Sequence, residues 1–248
     1  MCECGSPHHE TRGIRRRRLL AASSLLAVPA LLAPGLSVGV ARAAALSREQ
    51  RDAMSPTEII AHMKEGNRLF RSGERRSRDY LAEQQASASG QYPAAVILSC
   101  IDSRAPAEVI LDLGIGDTFN SRIAGCVADE DVIGGMEFAC KLAGAKVVLV
   151  MGHTACGAVA GAIAGAELGN LTALLAKIRP AVEATTFPGD RSAGNPAFVD
   201  AVARKHVELT LDLIRERSPV LSGLESQGAV KITGAMYDIG TATVEFFG

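Results

Sequence analysis

The chain has 248 residues, of which 48% are hydrophobic and 21% charged, so it can bury the core of a globular domain. Its formal net charge is −1 and only 4% of its residues are aromatic. This composition excludes a basic, aromatic-rich surface, and we expect no nucleic-acid partner.

The first 43 residues have the composition of an export signal. The arginine run Arg15–Arg18 is followed directly by an apolar segment, and Ala41-Arg42-Ala43 forms a small-x-small cleavage site. The arginine run next to Leu19-Leu20 resembles a twin-arginine signal, which exports proteins that are already folded. We therefore expect residues 1–43 to be a signal peptide that is removed, and the mature protein to be periplasmic or extracellular.

The alternative for this segment is a retained membrane anchor. Its apolar run is long enough to span a bilayer, but Pro29, Pro34, Gly35 and Gly39 interrupt it. Cleavage removes six Lys or Arg and two Asp or Glu residues, which leaves a mature net charge near −5. We expect no stable membrane association after cleavage. Four cysteines remain in the mature chain, too few for a disulfide scaffold.

Residues 44–92 are predicted to form an N-terminal helical arm. The sequence Ser55-Pro56-Thr57-Glu58 is a capping box with proline at the first helical position, so a helix should run from there to about Arg71. A second, weaker helix is expected near Tyr80–Ala88. Because this arm precedes the core, it could wrap around a partner subunit.

Residues 93–248 alternate between apolar strands and helices and are assigned to one α/β core. Strands are predicted at Ala94–Ser99, Thr118–Ile123, Lys146–Met151, Val230–Tyr237 and Thr243–Phe247. Helices are predicted at Pro106–Leu113, Asp129–Leu142, Ala155–Ile163, Leu171–Val182 and Pro196–Arg217. This alternation predicts a mostly parallel central sheet with helices on both faces. The last two strands read as a hairpin, which makes one edge strand antiparallel.

Potential metal ligands follow two of these strands. Cys100 lies at the carboxyl end of the first strand, and His153 and Cys156 lie in the turn after Lys146–Met151. If Thr118–Ile123 pairs on the outer side of the first strand, the first and third strands become neighbours, and their carboxyl ends form the usual binding crevice of an open α/β sheet. Two thiolates and an imidazole suit Zn²⁺, and three protein ligands leave a fourth position open, as in catalytic sites.

Asp102 and Arg104 follow Cys100 at alternate positions and could face the same cleft. Asp102 is then placed to reach the fourth metal position or to hydrogen-bond its occupant, and Arg104 to pair with Asp102 and restrain it. Taken alone, each of these residues also has a structural interpretation. A cysteine at a strand end can simply pack in the core, and Asp102 and Arg104 can be an exposed ion pair. A redox disulfide between Cys100 and Cys156 is a further alternative, although the sequence has no C-x-x-C motif.

The sequences CIDSR and GHTACGAV together resemble the paired signatures of the β-class carbonic anhydrases, and the similarity extends from about Ser55 to the GAMYDI segment. The resemblance implies a β-carbonic-anhydrase-like fold, a homodimer or higher homo-oligomer, and reversible hydration of CO₂ to bicarbonate and a proton by zinc-bound hydroxide. By match to the motifs, the Zn²⁺ ligands would be Cys100, His153 and Cys156. Asp102 and Arg104 would be the catalytic acid–arginine pair, with Asp102 as a possible fourth ligand in a closed state.

Two other functions remain open, namely hydrolysis of CS₂ or COS on the same scaffold and non-catalytic binding of zinc or bicarbonate. One residue departs from the family pattern, because Cys126 follows Arg122-Ile123-Ala124-Gly125 where the family usually has asparagine. Its thiol could alter a hydrogen bond near the cleft or be oxidised, or it could simply pack.

Two further patterns give structural expectations. Gly157, Gly161 and Gly165 recur every four residues, which favours close packing of one helix face against the sheet or a second copy. His62 and His206 are expected on solvated helix surfaces.

Overall fold

Five strands form a single sheet in the computed structural model, which describes residues 45–247. The strands are β1 (Ala95–Ser99), β2 (Thr118–Arg122), β3 (Val147–His153), β4 (Lys231–Tyr237) and β5 (Val244–Phe247). Their order across the sheet is β2-β1-β3-β4-β5. The first four strands pair in parallel, and β5 pairs antiparallel to β4. The predicted fold class, including the antiparallel edge strand, is confirmed.

Ten α-helices surround this sheet within the described residues. Before the sheet lie α1 (Arg48–Ala53), α2 (Pro56–Ser72) and α3 (Tyr80–Ser87). The others are α4 (Ala107–Ile110), α5 (Glu130–Glu137), α6 (Gly157–Ala164), α7 (Gly169–Ala176), α8 (Arg179–Ala184), α9 (Pro196–Arg217) and α10 (Pro219–Ser226). The signal peptide predicted for residues 1–43 lies outside the described residues.

The two central strands are buried along their whole length, as expected for a parallel sheet covered on both faces. Side chains alternate between two apolar clusters, because successive residues of a strand point to opposite faces. Leu98 and Val150 belong to the cluster that includes residues of α5, α6 and α9. Ile97 and Leu149 belong to the cluster that includes residues of α2 and α4. The sheet therefore holds the carboxyl ends of β1 and β3 rigidly side by side.

Helix α2 begins at the predicted capping box. The Ser55 side chain accepts a hydrogen bond from the Glu58 N–H, and the Glu58 carboxylate accepts one from the Ser55 N–H. The helix ends at Gly73, whose φ of 75° is in the left-handed region that glycine adopts at little cost. Apolar side chains of α2, such as Met63, pack into the core of their own chain.

Several helix boundaries differ from the predictions. The helix predicted at Leu171–Val182 is two helices, α7 and α8, because Pro180 has no N–H to donate to the Ala176 carbonyl and its ring crowds the preceding turn. The helix predicted at Asp129–Leu142 is α-helical only to Glu137 and continues as one π-helical turn. The short helices α1 and α10 were not predicted.

The expectation for His206 is wrong, and the expectation for the three glycines holds neither for all of them nor against the sheet. His206 is only 6% exposed, because it follows Val202 by one helical turn on the face of α9 that packs on the sheet. Gly165 ends α6 with a φ of 66° instead of continuing a helix face, and a Cβ added at Gly157 would meet no atom within 4 Å. The three glycines therefore do not form one face packed closely against the sheet of their own chain, and packing against a second copy stays a prediction.

No single helix within residues 45–247 is long and apolar enough to cross a bilayer. The pair α6 and α7 together passes the same test by length and composition, but the two helices meet at an 89° bend.

Candidate metal centre

Three side chains that are distant in sequence meet at the carboxyl ends of β1 and β3. Cys100 directly follows β1, His153 is the last residue of β3, and Cys156 precedes the first residue of α6. Their Sγ and ring nitrogen atoms all lie within 4.8 Å of one another, and all three residues are buried. The predicted juxtaposition is present because β2 lies outside β1, which leaves β3 as the inner neighbour of β1.

The two neighbouring thiols favour opposite protonation states, a thiolate at Cys100 and a protonated thiol at Cys156. A hydrogen bond from Cys156 lowers the pKa of Cys100 to about 4, and the N–H of Gly125, 3.3 Å from Cys100 Sγ, supports the same thiolate. The pKa of Cys156 is raised, because its proton bridges to Cys100 and because the side chain is buried. A thiolate is the form of cysteine that binds metals, so Cys100 is prepared to be a ligand.

His153 presents one ring nitrogen to the two sulfurs. Its Nδ1 lies 2.8 Å from the Thr154 carbonyl oxygen, which requires Nδ1 to carry the hydrogen and leaves the lone pair on Nε2. Within residues 45–247, Nε2 has no hydrogen-bond partner although it is buried. Burial is the largest influence on the pKa of His153 and lowers it, but the nearby Cys100 sulfur, the Thr154 carbonyl and the charge of Asp102 together shift it upward. A buried nitrogen with no partner, beside two sulfurs, fits a metal ligand.

Asp102 and Arg104 form the expected pair beside this group. Arg104 Nε lies 3.0 Å from Asp102 Oδ1 and its Nη2 lies 2.8 Å from Oδ2, and the Arg104 N–H also donates to Oδ1 at 2.9 Å. These donors, the side chain of Arg104 first, hold the pKa of Asp102 well below its usual range. Asp102 Oδ2 lies 3.9 Å from His153 Nε2, so the carboxylate borders the metal-binding group while Arg104 holds it.

The carbonic anhydrase family model matches residues 95–244, which include β1 to β4 and end at the first residue of β5. The chain belongs to the β-carbonic anhydrase family. It is 35% identical over 191 residues to carbonic anhydrase 2 of Mycobacterium tuberculosis, covering 75% of this chain and 89% of the relative. It is 33% identical over 195 residues to the carbonic anhydrase of Mycolicibacterium smegmatis, covering 77% and 93%.

Solved structures of β-carbonic anhydrases have the same fold. The enzyme CafA of Aspergillus fumigatus superposes with a TM-score of 0.58 at 26% identity, covering 77% of this chain and 89% of that one. The β-carbonic anhydrase CcaA gives a TM-score of 0.60 at 20% identity, covering 77% and 88%, a similarity of fold alone.

Two residues that contact this β-carbonic anhydrase site were not predicted as site residues. Arg122, at the end of β2, donates from Nε to the Cys100 carbonyl at 2.9 Å and from Nη2 to the Asp102 carbonyl at 2.6 Å. Asp200, on α9, accepts a hydrogen bond from the N–H of Ala155. The position of Arg122 at a strand end beside the cleft was a usable signal in the sequence, whereas nothing in the sequence marked Asp200.

The unusual Cys126 packs beneath the site. It is 2% exposed, and its Sγ lies 3.1 Å from the Met151 carbonyl oxygen, to which the thiol donates. Burial raises the pKa of this thiol well above its ordinary value, so it stays protonated. The packing interpretation is therefore favoured, and Cys126 uses its one donor within the core.

Proposed function

We propose that this protein catalyses the reversible hydration of CO₂ to bicarbonate and a proton, with one Zn²⁺ held by Cys100, His153 and Cys156. The observation that carries the proposal is the group of three buried donors with the Asp102–Arg104 pair beside it. Membership of the β-carbonic anhydrase family supports the same reaction.

The donor set fits Zn²⁺ on chemical grounds. Zinc in proteins is held by thiolates and by neutral imidazole nitrogens, and three such ligands are the arrangement of catalytic sites. A bound Zn²⁺ would lower the pKa of a coordinated water enough to supply the nucleophile near neutral pH. The low pKa of Cys100 and the Nε2 lone pair of His153 provide two of the ligands in the required protonation states.

Asp102 and Arg104 would orient the attacking water. Asp102 Oδ2 lies 3.9 Å from His153 Nε2. From there it can accept a hydrogen bond from a water that lies between the proposed ligands and CO₂. Arg104 occupies both carboxylate oxygens of Asp102, which restrains Asp102 from joining the ligands itself. Arg122 fixes the backbone from which both Cys100 and Asp102 project.

Zinc content and CO₂ hydration of the mature protein test this proposal together. We expect about one zinc per chain, lost in Cys100→Ala, His153→Ala and Cys156→Ala, because each removes one of three ligands. Cys140→Ala is the matched control, since Cys140 is buried in the same apolar cluster but lies outside the ligand group. Full zinc retention in all three ligand variants, or zinc without hydration at any pH, would contradict the proposal.

We also propose that the chain works as a homodimer or a higher homo-oligomer. The solved β-carbonic anhydrases of Sordaria macrospora, which are 24% identical with a TM-score of 0.57, are described as tetrameric. Light scattering on the mature protein measures the mass directly, and a monomer at micromolar concentration would contradict this proposal.

We propose, from the sequence of residues 1–43, that the protein is exported by the twin-arginine route after folding. Its four described cysteines are all buried and free, and thiolate ligands resist oxidation best when metal already occupies them. Replacing Arg15–Arg18 by lysines should trap the precursor in the cytoplasm, whereas an equal number of Arg-to-Lys changes in the mature chain should not. Cell fractionation measures the export, and unchanged export of the lysine variant would count against this route.

A further inference from the structure

Helix α9 contacts the short turn that joins two of the proposed zinc ligands. Ala155 lies between His153 and Cys156, and its N–H donates to Asp200 Oδ1 at 2.8 Å. Asp200 is half-buried and forms no ion pair with any other residue in the described part of the chain. Helix α9 has its own cap, because the Asn195 side chain accepts from the Ala197 N–H. The carboxylate of Asp200 is therefore available to the turn.

The turn needs support because its backbone is strained. Ala155 has a φ of 53°, a left-handed conformation that a residue with a Cβ keeps only when its surroundings impose it. The preceding residue is fixed from β4, since the Thr154 N–H donates to the Tyr237 carbonyl at 2.9 Å. The Ile239 N–H, beyond β4, donates to Thr154 Oγ1 at 3.0 Å. Asp200 supplies the hydrogen bond that fixes Ala155 itself.

The conformation of Ala155 affects both halves of the site. It sets the path of the backbone from His153 to Cys156, and hence the separation and direction of the two ligand side chains. Its carbonyl oxygen also lies 3.4 Å from Arg104 Nη2, the nitrogen that holds Asp102 Oδ2. One backbone residue thus connects the ligand turn to the acid–arginine pair.

We propose that Asp200 is a positioning residue of the metal site, which acts by accepting the Ala155 N–H and so holds the ligand turn in its strained conformation. This inference rests on the proposed zinc site for its effect on metal binding. Residues that orient metal ligands from outside typically change metal affinity or activity by about 10–100-fold when they are replaced.

Three substitutions separate the hydrogen bond from the charge. Asp200→Asn keeps an acceptor oxygen in place but removes the charge, Asp200→Glu keeps the charge but moves the carboxylate by one methylene, and Asp200→Ala removes both. Asp212→Ala is the matched control, because Asp212 is an acid on the same helix, 75% exposed, with Arg215 as its ion-pair partner.

Two measurements should be made on the full mature chain. The first is the rate at which zinc passes from the protein to a chromogenic chelator. The second is hydrogen exchange of the Ala155 amide in the metal-free protein, which needs no bound metal. We expect Asp200→Ala to release zinc about 10-fold faster or more and to lose protection of the Ala155 amide. Asp200→Asn and Asp212→Ala should stay close to the parent in both, and Asp200→Glu should resemble Asp200→Ala.

The outcomes are decisive in either direction. Parental zinc release and parental exchange in Asp200→Ala would overturn the inference. Impairment of Asp200→Asn with a normal Asp200→Glu would overturn it as well, because the charge and not the placed acceptor would then matter. If the parent held no zinc, the proposed function would fail, and exchange of the Ala155 amide would still decide whether Asp200 holds the turn.

Discussion

Arg104 is the residue at which position and chemistry are most closely linked. It contributes no ligand, yet it occupies both oxygens of the carboxylate that borders the metal-binding group. An acid this close to the three proposed metal ligands can itself become a ligand unless a partner holds it. The alternate spacing of Cys100, Asp102 and Arg104 after a buried strand thus places a proposed ligand, its potential competitor and the restraint on that competitor in one segment.

The first prediction is that Arg104→Ala keeps its zinc but loses most of its activity, by about 10–100-fold. Asp102, released from Arg104, should compete for the fourth position and displace the water. Remaining activity should shift to higher pH, where hydroxide competes better with the carboxylate. The measurement is zinc content beside a pH–rate profile of kcat/KM.

The double variant Asp102→Ala/Arg104→Ala is the control for this prediction. It lacks the competing carboxylate, so the fourth position at its zinc should stay available to water. Its pH–rate profile should therefore not show the shift to higher pH that is expected for Arg104→Ala. Parental activity with an unshifted profile in Arg104→Ala would show that Arg104 is only a surface charge.

Among the elements, the backbone of α2 at Gly66 lies so close to the end of α4 that only glycine fits there. A Cβ added at Gly66 would lie 1.8 Å from the Leu111 carbonyl oxygen, a backbone atom that cannot rotate away. The residue after Leu111, Asp112, has a strained backbone with a φ of 50°. Its buried carboxylate accepts hydrogen bonds from Arg75 and Arg76, which follow α2. The arm and the core are thus joined by close contact and by buried charge.

The second prediction is that Gly66→Ala lowers the free energy of unfolding by about 3 kcal/mol, because the backbone of α2 or α4 must move. Gly223→Ala in α10 is the matched control, since a Cβ there meets no atom within 4 Å. It should raise stability by about 0.5–1 kcal/mol through helix propensity alone. Denaturant unfolding of both variants checks the pair, and equal effects would contradict the close approach.

At the level of elements, the sequence was informative where a pattern is local. The apolar run Lys146–Met151 and the ligand motifs after it predicted β3 and the His153–Cys156 turn. The break at Pro180 was also readable and was missed. Arg122 was marked by its position at a strand end beside the cleft and was missed. The contact of Asp200 could not be predicted, because it depends on where α9 lies relative to the turn after β3. His206 was misplaced because polarity was given more weight than its spacing from Val202.

For the whole molecule, His206 predicts sensitivity to acid. Burial lowers the pKa of His206 to about 4, whereas an unfolded histidine titrates near its ordinary value of 6.5. Above pH 6.5 the imidazole is neutral in the folded and in the unfolded chain, so it does not affect the free energy of unfolding. As the pH falls from 6.5 to 4, only the unfolded chain takes up the proton, so stability falls.

The third prediction is that this one residue lowers the free energy of unfolding by about 3 kcal/mol between neutral pH and pH 4. His206→Gln should remove that part of the slope, because glutamine does not titrate. His62→Gln should remove less of the slope, because partial burial and the charge of Arg76 lower the pKa of His62 but its side chain stays exposed, whereas His206 is buried. Unfolding curves at several pH values compare the three proteins, and parallel slopes in all of them would contradict the assignment.

The strand order has a consequence for how the centre comes into being. Cys100 and His153 become neighbours only when β1 and β3 pair, and that pairing closes a long loop that contains β2 and α5. An unfolded chain therefore offers a metal only the local His153–Cys156 pair, which is too few ligands to hold it firmly. At the proposed zinc site, metal is therefore not expected to start folding as it does in a zinc finger. We expect it to enter a nearly finished sheet, so that zinc uptake comes at the end of the folding pathway and not at its beginning.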